Sequence, residues 1–115
     1  MSLLRGVAFM ASLLLTGSSF AGSTTPKPDP EKGQALAERV CATCHAISRK
    51  PAPSLAADVP SFYAIANKPG QAVETIAGRI VIPHPPMPAV SLTREEIADV
   101  VTYILTFKVA SEAKP

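Results

Sequence analysis

A chain of 115 residues with 11 basic and 9 acidic side chains has a formal charge of +2 and is long enough for one small domain. It carries no basic block for nucleic acid and no acidic tail, so any electrostatic steering must come from local patches. Four Phe, two Tyr and no Trp predict a thin core, one that a large apolar group tethered inside would complete.

The N-terminus reads as a signal peptide over residues 1–21. Arg5 gives a positive start, Val7 to Leu15 is an apolar run, and Ser19-Phe20-Ala21 fits a small-x-small cleavage site. The run is too short to span a membrane with ease, and no Cys follows it to take a lipid. Cleavage after Ala21 is expected; an uncleaved N-terminal anchor is the alternative.

Residues 22–28 are rich in Ser, Thr, Pro and Lys and form a flexible leader. Asp29 as N-cap, Pro30 at the first helical position and Glu31 in the first turn open a helix to about Val40. Gly33, Leu36, Ala37 and Val40 lie along one face of it. Gly33 costs helix stability, which a second helix crossing closely there would explain.

Cys41-Ala42-Thr43-Cys44-His45 follows. On one helical turn this spacing sets both sulfurs to one side, where they can bond the two vinyl groups of a haem with His45 beneath the iron. A thioredoxin-like pair would need a strand before it. Zinc would need four ligands, but the only other histidine is the distant His84. A disulfide across two residues would close a small strained loop. Covalent haem is the reading that uses all three side chains, and an exported haem protein of this size points to a bacterial periplasm.

Arg49 to Pro53 cannot continue a helix. A short helix is expected from Pro60 to about Asn67, with Phe62, Tyr63, Ile65 and Ala66 apolar. Pro69-Gly70 turns the chain, and Gln71 to about Ile80 is helical again, with Val73, Ile76, Ala77 and Ile80 on one side. Four prolines between Ile82 and Val90 forbid helix and central strand, and they stiffen the loop around Met87. Thr93 and Glu96 make a capping box. It opens a helix striped by Ile97, Val100, Val101, Ile104 and Leu105 and widened by Tyr103 and Phe107. No strand is predicted, so the class is all-α.

Met87 is the only methionine outside the signal segment. A thioether favours ferrous iron and raises the reduction potential of a haem, which makes Met87 the candidate sixth ligand. Core filling is the common use of a methionine. His84, three residues earlier, is the competing ligand.

From the haem motif, the Pro83–Pro88 run and the final helix, residues 29–110 resemble a class I c-type cytochrome, followed by a tail, 111–115. The resemblance implies the cytochrome c fold, with N- and C-terminal helices crossing and short helices and loops wrapped around one covalent haem c. Cys41 and Cys44 would be its attachments and His45 and Met87 its axial ligands. Gly33 would pack against Tyr103. Pro53-Ser54-Leu55, with Ala52 before it, is similar to the family's Gly-Pro-x-Leu segment. The Pro53 carbonyl would then accept from His45 Nδ1–H, and Pro53 and Leu55 would join the haem site. The sequence departs from the family at Ala37, where many members carry an aromatic. It has no Trp for a propionate, leaving Tyr63, Arg79 and His84 as candidates.

The implied function is periplasmic electron transfer by a monomer that is not an enzyme. Its partners would be redox proteins, a dehydrogenase as donor and an oxidase or reductase as acceptor. Arg49, Lys50 and the Met87 loop would rim an exposed haem edge near Cys44. A haem-based sensor of small ligands, and a subunit of a periplasmic dehydrogenase complex, are the alternatives.

Overall fold

The computed structural model of the protein describes residues 21–49, 58–82 and 84–110. Among these are four helices: α1 (Pro30–Val40), α2 (Phe62–Asn67), α3 (Val73–Val81) and α4 (Arg94–Leu105). The described residues contain no strand, only one isolated antiparallel bridge between His84 and Met87. All of the expected signal segment except Ala21 lies outside the described residues, as do Lys50, Ala52, Pro53, Leu55 and the tail.

The helix starts follow from their caps. Asp29 Oδ1 accepts from the N–H groups of Glu31 and Lys32 at 2.9 and 3.4 Å, satisfying donors that the first turn of α1 leaves unpaired. In α4, Glu96 N–H donates to Thr93 Oγ1 at 3.1 Å and Thr93 N–H donates to Glu96 Oε2 at 2.8 Å, the reciprocal capping box expected from the sequence. Helix α2 begins later than the predicted Pro60. Ser61 is its N-cap, and Ser61 Oγ accepts from Ala64 N–H at 3.1 Å. Helix α3 starts at Val73, after an Ala72 that offers no side-chain cap.

Helix α4 is the element on which the others pack: α1, α2 and α3 all contact it. The buried core is Leu36 and Ala37 of α1, Phe62 and Ala66 of α2, Ile76 of α3, and Val100, Val101, Ile104 and Phe107 of or just beyond α4. Ala37 is fully buried, so this small residue is what lets α1 lie close. Gly33 makes the approach closer still. A Cβ there would stand 2.0 Å from the Asp99 carbonyl oxygen and 2.9 Å from Tyr103 Cβ. The expected Gly33 crossing is present, with the α4 backbone at Asp99 as its tightest point. Asp29 N–H donates to Asp99 Oδ1 at 2.7 Å and fastens the start of α1 to the same residue.

Three expected apolar positions turn outward. Tyr63 is 52% exposed because Phe62 and Ala66, four apart on a six-residue helix, define the face toward α4. Val73 is exposed in the uncapped first turn of α3, and Val40 is exposed at the last turn of α1.

Beyond the helices, loops are tied down by side chains. Tyr103 Oη–H donates to Ile47 O at 2.7 Å. Arg49 Nη2 donates to Thr106 O, with its guanidinium 5.2 Å from the Phe107 ring centre. Asn67 Nδ2 donates to Tyr63 O at 2.8 Å and Phe107 O at 3.0 Å, while Asn67 Oδ1 accepts from Val109 N–H at 2.9 Å.

Candidate functional site

The C-terminus of α1 carries the site. Cys41 is the C-cap, in right-handed helical conformation with φ −108° and ψ −31°. One further turn follows, because Cys41 O accepts from Cys44 N–H at 3.1 Å and from His45 N–H at 2.9 Å. Residues three and four apart on such a turn are neighbours, so this turn brings Cys41, Cys44 and His45 together. The two thiols are not joined to each other. Cys41 is half-buried against the core, and burial pushes its thiol up from the ordinary range. Cys44 is exposed.

His45 is oriented from below. Its Nδ1 lies 2.7 Å from Pro60 O, and a carbonyl can only accept. The proton of the neutral ring is therefore on Nδ1, and Nε2 presents a lone pair, the form that ligates a metal. The ring also rests 5.8 Å from that of Phe62, tilted by 50°. Phe62 N–H donates to Ala46 O at 2.9 Å, so α2 grips the residue after His45 while its leading proline grips His45 itself. This corrects the expected carbonyl partner. Pro60 holds Nδ1, and Pro53 and Leu55 lie outside the described residues. The local sequence makes Pro60 the start of a helix; the Ser61 cap places it just before one, with its carbonyl available to His45.

Met87 stands in the separate loop between α3 and α4 and is half-buried. Met87 N–H donates to His84 O at 2.7 Å, closing the turn that holds Pro85 and Pro86. The peptide bond between those prolines is cis. Arg79 and His84, two of the proposed propionate partners, share a groove with Glu74, Thr75, Gly78 and Ile82. Tyr63, the third, does not line it and projects outward from α2. Arg49 departs from its expected role. It is exposed but committed to Thr106 O and the Phe107 face, so it braces the end of α4 and does not stand free on a rim.

The residues present fit a haem. Two thiols and an imidazole share one turn, and the imidazole is fixed in its ligating tautomer by Pro60. Val81 and Ile82, just before the Met87 loop, are 60% and 67% exposed.

The comparisons with known proteins agree. The cytochrome c family model matches residues 30–108. The chain is 36% identical over 101 residues to a cytochrome c-552 of Bradyrhizobium diazoefficiens, an alignment covering 88% of this chain and 91% of the relative. No solved structure matches. The chain belongs to the cytochrome c family: it is an all-α haem c electron carrier, and its haem is covalently bound. Cys41 and Cys44 are its only cysteines and supply the attachment.

Proposed function

We propose that this chain is an exported periplasmic carrier of single electrons whose haem iron is held between His45 Nε2 and Met87 Sδ. The observation that carries the His45 assignment is the 2.7 Å contact between His45 Nδ1 and Pro60 O, which leaves Nε2 free to bind. When bound, haem c supplies one-electron chemistry, its iron passing between ferric and ferrous. Cys41 and Cys44 fix the group against the end of α1. His45 supplies a nitrogen ligand whose orientation is set by Pro60 and Phe62. Met87, the one methionine outside the signal segment, supplies a soft neutral sulfur that stabilises the ferrous state. With both positions filled by side chains, no site remains open to a substrate, so the chain carries electrons and is not an enzyme.

The signal segment, 1–21, directs export, and among the described residues no helix is long and apolar enough to cross a membrane. Partners are redox proteins on either side of the carrier, a dehydrogenase as donor and an oxidase or reductase as acceptor. Export and ligation are tested separately. N-terminal sequencing of the haem protein from a periplasmic extract should begin at Gly22; an intact Met1 in the membrane fraction would contradict cleavage. Met87→Ala should lower the reduction potential and remove the Met–iron band. An unchanged potential and spectrum would eliminate Met87 as a ligand.

A further inference from the structure

The loop between α3 and α4 carries a nitrogen base that the axial pair leaves unused. His84 and Met87 form the antiparallel bridge, with Met87 N–H donating to His84 O at 2.7 Å. Directly paired residues of such a bridge send their side chains to one face, with Cβ atoms about 4.5–5.5 Å apart. The bridge therefore sets His84 and Met87 opposite each other at the base of one turn. Pro85 and Pro86 fill the turn between them, and their rings fix φ, so the two paired residues have little freedom to move apart.

The tautomer of His84 completes the picture. His84 Nδ1 lies 3.2 Å from Ile82 O. The acceptor is again a backbone carbonyl, so the proton of the neutral ring is on Nδ1 and Nε2 presents its lone pair. This repeats the arrangement by which Pro60 prepares His45. Both His84 and Met87 are half-buried, and the chain has only two histidines, the other being His45.

We propose that His84 is a reserve axial ligand, placed so that its Nε2 takes the position of the Met87 sulfur whenever that bond is lost. The proposal rests on Met87 being the resident ligand. The exchange breaks one dative iron–sulfur bond and forms one dative iron–nitrogen bond. No proton or electron moves, because Nε2 already carries its lone pair. Since sulfur ligation raises the potential relative to nitrogen, the exchanged form is the stronger electron donor and the poorer acceptor. It also keeps the iron closed to outside ligands.

The test compares the haem-loaded His84→Ala, Met87→Ala and doubly substituted proteins at neutral pH, by ferric visible and electron paramagnetic resonance spectra, with azide as the probe ligand. His84→Ala should keep the wild-type spectrum. Met87→Ala should be low-spin with two nitrogen ligands. The double variant should be high-spin and bind azide at least ten times more tightly than Met87→Ala. A high-spin Met87→Ala, or a double variant that stays low-spin, overturns the proposal. If instead Met87→Ala matches wild type and His84→Ala alone loses the native spectrum, the Met87 assignment fails and His84 is the resident ligand. Should Met87→Ala not accumulate, guanidinium can loosen the Met87 bond in wild type and in His84→Ala. Wild type should pass through a low-spin nitrogen-ligated form that His84→Ala lacks; identical spectra in the two would overturn the proposal.

Discussion

Gly33 shows how one missing methyl group can position a helix. Alanine would improve the intrinsic helix propensity there by about 1 kcal/mol. Its Cβ, however, would meet the Asp99 carbonyl oxygen at 2.0 Å, a backbone atom that cannot rotate aside. Overpacking of a close contact costs about 1–3 kcal/mol, and here the relief requires α1 to shift along α4. Gly33→Ala should therefore lower the melting temperature by several degrees; an equal or higher value would show that the crossing is loose. Tyr103, beside the same crossing, is held by its bond to Ile47 O at 2.7 Å. Its phenol is pushed up from the ordinary tyrosine value by burial and by Glu38, with Arg49 opposing. Because the folded value is the higher one, its stabilising effect is complete below the unfolded value and is lost as pH rises through the folded value. Tyr103→Phe should remove that alkaline component from a plot of unfolding free energy against pH. Identical slopes for the two proteins above the ordinary tyrosine value would contradict it.

At the scale of elements, what was readable from the sequence is what local chemistry decides. The Asp29-Pro30 start of α1 and the Thr93/Glu96 box of α4 are complete within a few residues, and both form as read. The residues that flank and end α2 depend on distant partners. Pro60 looks like a helix start until its carbonyl is seen bonded to His45, a contact made across fifteen positions of chain that no local pattern announces. The same holds for Asn67. It sits near the end of a predicted helix and gives no further signal, yet it joins Tyr63 O, Phe107 O and Val109 N–H. It is the peg that closes the segment after α4 onto α2. A typical net hydrogen bond contributes about 1 kcal/mol, so Asn67→Ala should cost about 2 kcal/mol. The Val109 amide should exchange with deuterium much faster; unchanged protection there would mean that the segment is held by packing alone.

Across the whole molecule, one arrangement serves both fold and chemistry. Helix α4 receives the three other helices. The aromatic series His45, Phe62, Tyr103 and Phe107 runs from the haem-binding turn to the end of α4, with ring centres 5.8, 6.0 and 5.3 Å apart. The haem motif was legible because its three reactive residues are contiguous, and family membership confirms the covalent haem. The surroundings of the motif were less legible, because Arg49 and Pro60 act through contacts that only the folded chain creates. The proposal of a closed carrier ligated by His45 and Met87 is tested most directly by the visible spectrum of the purified ferric protein at neutral pH. Low-spin bands, with the weak red band of methionine–iron ligation that vanishes on reduction, are the predicted result. A high-spin spectrum, or a low-spin one without that band, would contradict it.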